Sequence, residues 1–264
     1  MNEENHKISR RDFIKKTAYS AVGLTILPAL FNECINKKDF VLTKDNLSLV
    51  FKKLLGDKFL YDFNIIKPPK NLKKKLMPYS KTYSKGYEFL KEYNSIIVYV
   101  IFSDVAADYY INELFTPSLN KYLEKLSKEN NHDYKSTTEY YHILRKEMAF
   151  FAGLGKIGKN ALMFSNNFGF NCKIDMIATS IKFDKYYSGD MNYKLEYCSN
   201  CNICIGSCPV SAFQNYEIQK YHECDNFIHP DFFSPEKSCR RCITACPYSN
   251  DILSNIQENI KNKI

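Results

Sequence analysis

Arginine is scarce in this chain of 264 residues: five arginines stand against 32 lysines, although the formal net charge is +8 at pH 7. Planar, bidentate recognition of phosphate favours arginine, and the lysines are scattered apart from one short run at Lys73, Lys74 and Lys75. The positive balance reads as a solvated, lysine-rich surface and argues against nucleic acid as a partner. Also lacking is an apolar run of the roughly 20 residues that a bilayer span takes. No sequence repeat occurs outside the cysteines, and no G-K-S/T closes a phosphate-binding loop. With 45% hydrophobic residues, the chain is long enough for one sizeable core or two modest ones.

What is abundant is cysteine, ten in all, of which eight lie between Cys198 and Cys246. "CSNCNICIGSCP" spaces Cys198, Cys201, Cys204 and Cys208 at x2, x2 and x3 before Pro209, the iron–sulfur ligand spacing of bacterial ferredoxins. Three thiolates on so short a loop wrap one corner set of a cube, and the fourth, followed by proline, points to a second cube. A second set, Cys239, Cys242 and Cys246 before Pro247, lacks a leading cysteine, and Cys224 is the nearby residue that can supply it. The sets complete each other by crossing over. One 4Fe-4S cluster would use Cys198, Cys201, Cys204 and Cys246, and the other Cys208, Cys224, Cys239 and Cys242. Zinc sites come as C-x2-C pairs separated by a longer loop, which this triplet does not match, and cysteines three apart do not pair without strain. Cys172, alone beside a predicted strand, reads as a small buried hydrophobe.

The N-terminal segment 1–35 reads as an address. "ISRRDFIKK" precedes an apolar stretch from Thr17 to Phe31, and Ser9, Arg10, Arg11, Asp12, Phe13, Ile14 and Lys15 resemble a twin-arginine export signal. That resemblance implies export of a protein folded, with its clusters, before translocation. It places the chain in the periplasm or on the outer face of the membrane. Cleavage, lipidation at Cys34 and an uncleaved membrane anchor are all open.

Along the rest of the chain, "LSLVFKKLLG" predicts a short helix stopped by Gly56, and "SIIVYVIF", Ser95 to Phe102, a strand buried on both faces. "TYSKGYEFLKEYN" predicts a helix after Gly86, and "SLNKYLEKLSKEN" a helix with Ser118 as N-cap. "STTEYYHILRKEMAFFAG" predicts a helix capped by Ser136 or Thr137 and ended by Gly153; Lys173 to Phe183 reads as a strand. The tail from Asp251 carries Ile252, Leu253, Ile256 and Ile260 on one helical face. Helices and strands mix without a βαβ rhythm, so the fold class expected is α+β. The domain plan is an α+β domain over 36–190 and a ferredoxin-like two-cluster domain over 191–264.

"AGLGKIGKN", residues 152 to 160, has the spacing G-x-G-x-x-G, but a dinucleotide fingerprint follows a strand and opens a helix. Here the loop follows a predicted helix, so Asp175, at a tolerable distance, does not rescue that reading.

The order of "FFAGLGKIGKNALMF", a strand, and two crossed cysteine sets ending "CRRCITACPYSN" resembles epoxyqueuosine reductases and reductive dehalogenases, which share A-G-L-G-x-x-G-K/R ahead of a two-cluster module. The resemblance covers about residues 95 to 250. It implies a base-off corrinoid (cobalamin) in the first domain, reduced through both clusters, with Gly153, Gly155, Gly158, Lys159 and Asn160 at its edge; residues without Cβ allow close backbone approach. It implies a proton donor at Glu139, where the epoxyqueuosine reductases carry aspartate, with Tyr140 and Tyr141 as further donors in keeping with the tyrosine acid of the dehalogenases. Lys156 stands where an aromatic is common, the segment between Phe102 and Ala152 is short for a substrate pocket, and only seventeen residues follow Pro247. No D-x-H-x-x-G occurs, which agrees with base-off binding. The function expected is an exported, corrinoid-dependent iron–sulfur reductase of a small molecule, fed by an electron donor protein or a membrane quinol system. The alternatives are a non-catalytic ferredoxin-type electron carrier and a tRNA epoxyqueuosine reductase.

Overall fold

A computed structural model describes residues 41–56, 59–69, 90–102, 114–137, 145–189, 194–214, 217–218, 223–224 and 239–261. The segment read as an export signal, Cys34, the lysine run 73–75, the helix expected after Gly86 as far as residue 89, and Glu139, Tyr140 and Tyr141 lie outside these residues; Leu90 is helical and a turn follows it.

The frame is a four-stranded antiparallel sheet. Its strands are β2 (Tyr61–Ile66), β3 (Ser95–Phe102), β4 (Ser136–Thr137) and β7 (Cys172–Thr179), in the order β2-β3-β7-β4. Strand β3 is central, and its alternation splits the core. Ile97, Tyr99 and Ile101 join one buried cluster, while Ile96, Val98 and Val100 join the other. A sheet covered on both faces calls for apolar residues on both sides of its central strand, and β3 has them from Ile96 to Phe102.

The first face is covered by α1 (Lys44–Leu55) and α2 (Thr116–Glu129). Thr43 caps α1 by accepting the Asn46 N–H, and Gly56 at φ 63° stops it. Phe51 of α1 stacks on Phe63 at 4.4 Å and meets Tyr99 and Phe115 edge-on. A short parallel pair, β1 (Val41–Leu42) with β8 (Lys182–Phe183), closes this side. The second face is covered by α3 (Arg145–Phe151), the hairpin of β5 (Gly155–Ile157) and β6 (Met163–Ser165), and α6 (Pro247–Lys261). Ile256 is buried there and Ile252 packs beside it, so the chain's last described helix returns to the sheet. Three short elements complete the cysteine region: α4 (Ile203–Gly206), α5 (Arg241–Thr244), and the pair β9 (Phe213–Gln214) with β10 (Glu217–Ile218).

The α+β expectation holds, and local expectations are refined. Ser136 and Thr137 pair with Thr179 and Ala178 at the sheet edge, the described helix begins at Arg145, and residues 138–144 between them lie outside the described residues. Ser118 is not an N-cap: α2 starts at Thr116 without a side-chain cap, and Pro117, whose fixed φ suits a first turn, lies inside it. The strand read over Lys173 to Phe183 breaks after Thr179, where Ser95 Oγ reaches the Ile181 carbonyl at 2.6 Å and the chain re-forms as β8.

Candidate cysteine centres

Helix α3 leads into the glycine loop. Leu154 N–H bonds to the Ala149 carbonyl and Gly153 N–H to that of Phe150, with Gly153 at φ 69°. This is a Schellman stop, and it explains the first glycine: a side chain there would be strained and would collide with the Tyr187 ring. The other two glycines are set by packing. A Cβ on Gly155 would meet the Phe164 carbonyl and Met163 Sδ across the β5–β6 hairpin, and one on Gly158 would meet the Phe170 ring. The space that these glycines leave is thus occupied by the chain itself.

The loop's polar residues also point inward or toward the cysteines. Asn160 is fully buried, its Oδ1 accepting the Leu162 N–H at 3.3 Å, and its Nδ2 has no partner. Lys159 Nζ donates to the Ser199 carbonyl at 3.1 Å and to Asn202 Oδ1 at 3.0 Å, and the Lys159 backbone N–H bonds to the Cys198 thiol. The Leu195 N–H bonds to the Ile157 carbonyl, so the hairpin is tied directly to the chain entering Cys198.

The eight cysteines gather in two groups of four. Cys204 is buried, and Cys198, Cys201 and Cys246 face it closely enough to repel its thiolate; burial first, then that repulsion, pushes its thiol up to about 11. Burial first, then repulsion from Cys204, Cys224, Cys239 and Cys208 in that order, pushes Cys242 up to about 12. Cys208, Cys224, Cys239 and Cys242 line one small hollow with Pro209, Val210, Phe213 and Arg241. Each group therefore includes at least one cysteine from beyond its own local run: Cys246 beside Cys204, and Cys208 and Cys224 beside Cys239 and Cys242.

Thiols so placed are costly as thiolates and gain from a shared cation. Among the described residues no set of three or more His, Cys, Asp or Glu converges on a single ion. A tetrahedral metal with Zn–S bonds of about 2.3 Å would bring its sulfurs to roughly 4 Å of one another. A four-iron cube seats each thiolate on its own iron, farther apart, and the donor set fits that group. Backbone donors are in place as well: Ala212 N–H points at Cys208 Sγ at 3.3 Å, and the N–H groups of Tyr248 and Ser249, opening α6, bond to the Cys246 sulfur.

The two groups rest on different supports. Cys246 packs with Phe164, Phe170 and Leu195, and Ser249 Oγ accepts the Phe170 N–H at 2.9 Å. Asn171 joins the same clasp, donating to Ser249 Oγ and accepting from Arg240 Nη2 at 2.9 Å. Cys208, Cys224 and Cys242 pack instead against a cluster of Ala161, Ala212 and Phe213, and the Ala161 carbonyl accepts Lys146 Nζ at 2.7 Å. Burial lowers Lys146, while Glu147, Cys224 and Cys242 act to keep it charged. Glu147 is 4% exposed, its Oε2 has no partner, and burial pushes its carboxyl up to about 7. Neither residue is evident from sequence, where "RKEM" reads as ordinary helix surface.

Two further residues are settled by their contacts. Asp175 pairs with Arg145 at 3.1 Å and accepts Thr116 Oγ1 at 2.8 Å, so it is spent inside the sheet and not on a ribose. Cys172, partly buried at the start of β7, donates its thiol to the Gly169 carbonyl at 3.7 Å, and desolvation pushes that thiol up to about 12, which leaves it unreactive.

The fold is one found in solved structures of epoxyqueuosine reductases and of a reductive dehalogenase. The chain is similar to epoxyqueuosine reductase from Streptococcus thermophilus, at 18% identity and TM-score 0.55 over 78% of this chain and 66% of that one. It is similar to epoxyqueuosine reductase from Bacillus subtilis, at 18% identity and TM-score 0.54 over 78% and 65%. A reductive dehalogenase described as carrying out B12-dependent dehalogenation matches at 12% identity and TM-score 0.52, over 91% of this chain and 36% of that one. The chain therefore spans just under two thirds of the epoxyqueuosine reductases' length. No family model and no curated relative matches the sequence.

Proposed function

We propose that this chain is an iron–sulfur oxidoreductase in which Cys198, Cys201, Cys204 and Cys246 hold one 4Fe-4S cluster and Cys208, Cys224, Cys239 and Cys242 hold a second. The observation that carries the reading is the gathering of eight cysteines into two crossed groups of four. When bound, such clusters supply one-electron transfer at potentials set by charge, hydrogen bonding and exposure. The chain's own part is to supply thiolates, to donate N–H groups from Ala212, Lys159, Tyr248 and Ser249 to sulfur, and to shield the first group with Phe164 and Phe170.

The likeness to a B12-dependent dehalogenase supports a reductive reaction and a corrinoid. The glycine loop does not add to that support. Gly153, Gly155 and Gly158 are explained by Tyr187, Phe164, Met163 and Phe170, and Lys159 is engaged at Ser199 and Asn202. A corrinoid would meet other parts of the domain, with the unpartnered Asn160 Nδ2 as the loop's one free donor, and we derive no step through it. Proton donation by Glu139, Tyr140 or Tyr141, the domain boundary at 190, export by the twin-arginine route and an electron donor protein or quinol system belong to the same proposal.

The committed loop also favours a second reading, an electron carrier without substrate chemistry. Metal and cofactor analysis of anaerobically purified protein separates the two. Both readings require about eight irons with matching sulfide per chain. Cobalamin binding beside full iron supports the reductase; full iron with no cobalamin bound supports the carrier; protein that takes up no iron under reconstitution overturns both.

A further inference from the structure

We infer that Lys146 is a positioning residue for electrons: its ammonium, held against the second cysteine group, makes that group's cluster the stronger electron acceptor of the two. The inference rests on the two-cluster reading. Lys146 Nζ donates to the Ala161 carbonyl at 2.7 Å, and Ala161 belongs, with Ala212 and Phe213, to the buried cluster against which Cys208, Cys224 and Cys242 pack. Its charge is felt at Cys224 and Cys242. A positive charge in a low-dielectric surround favours the added negative charge of the reduced cluster, and so raises its potential.

The first group has a lysine too, but a weaker one. Lys159 contacts Ser199 and Asn202 at the exposed edge of that group, where solvent and salt screen it. Arg241, the other cation lining the second hollow, is exposed and screened in the same way. Burial raises the Glu147 carboxyl and also lowers Lys146, whose ammonium is supported by its bond to the Ala161 carbonyl and by the thiolates of Cys224 and Cys242. One electron, delivered by an external low-potential one-electron carrier, would reduce the first cluster; that cluster is reoxidised as the second is reduced by the same electron.

The test is a spectroscopic redox titration of the full chain at pH 6, where Glu147 is mostly protonated, with iron counted in each sample. Lys146→Met and Lys146→Gln are expected to lower one cluster's potential so that its oxidised-to-reduced ratio at fixed potential rises about tenfold, a shift of about 59 mV for one electron. Lys146→Arg should restore most of that shift, and Lys159→Gln should move the other cluster by less. Full iron with both potentials unmoved in Lys146→Met and Lys146→Gln would overturn this inference alone. Loss of iron in both, with iron kept in Lys146→Arg, would also overturn it, making Lys146 a structural prop. Unmodified protein without iron would overturn the reading beneath it.

Discussion

The two cysteine groups are built to the same ligand count on opposite kinds of foundation. The first takes three ligands from one seven-residue run and leans on aromatic rings, Phe164 and Phe170 meeting edge-to-face at 5.0 Å behind Cys246. The second draws Cys208, Cys224, Cys239 and Cys242 from distant points and leans on a helix that presents Lys146 and Glu147. A local run has little loop entropy to overcome, so it can close on packing alone; a dispersed set closes at higher entropic cost and needs its metal more. The difference teaches that one group is backed by aromatic rings and the other by a helix carrying a buried glutamate and lysine.

The largest blow to that contrast is Phe170→Ala. Removing a ring that is 7% exposed should cost about 3–5 kcal/mol and deplete the iron of the first group, leaving the second group's iron in place. Thermal unfolding and iron counting check it together. Equal depletion of both groups would erase the distinction.

Next comes Glu147. Its folded carboxyl, pushed up to about 7 from 4.5, binds more protons than the unfolded chain between those values. Stability should therefore fall as pH rises from about 4.5 to about 7, by roughly 3 kcal/mol in all. Glu147→Gln should flatten this slope and raise stability above pH 7, measured by denaturant unfolding across the range. A slope unchanged by the substitution would contradict the assigned burial.

Ser249→Ala removes the hydroxyl that accepts from Phe170 and Asn171, leaving two buried donors short of a partner. The expected loss is about 1–2 kcal/mol, read as a lower denaturation midpoint, with the first group affected more than the second. The smallest effect belongs to Lys156→Gln. It breaks an exposed pair with Glu196 at 3.4 Å, and the change should stay under about 1 kcal/mol and vanish at high salt.

Much of this contrast was legible in the sequence, and what was hidden has physical reasons. Strand β3 shows itself because Ile96 to Phe102 are hydrophobic throughout, and α1 because its stop is a glycine, found at positive φ. The cysteine spacing points to the crossed grouping because ligand geometry constrains spacing directly. Strand β2 stayed hidden since Asp62 and Asn64 interrupt its apolar pattern; both are engaged, Asp62 by Asn167 Nδ2 and Asn64 by Lys44 Nζ and the Ala152 carbonyl. The β5–β6 hairpin hid inside a motif that looks like a ligand cradle. Its glycines answer to rings and carbonyls far along the chain, which no local pattern reports. The same limit applies to Lys146 and Glu147, whose burial comes from what packs over them and not from their neighbours in sequence.

Crossing is the central claim, and paired substitutions test it most directly. Cys242 and Cys246 are neighbours in sequence but belong to different groups, whereas Cys204 and Cys246, far apart in sequence, share one. The account predicts that a Cys204→Ser, Cys246→Ser double variant keeps about four of about eight irons, and that a Cys242→Ser, Cys246→Ser double variant loses nearly all of them. If the adjacent pair kept about four irons and the distant pair lost them all, the crossed assignment would be wrong.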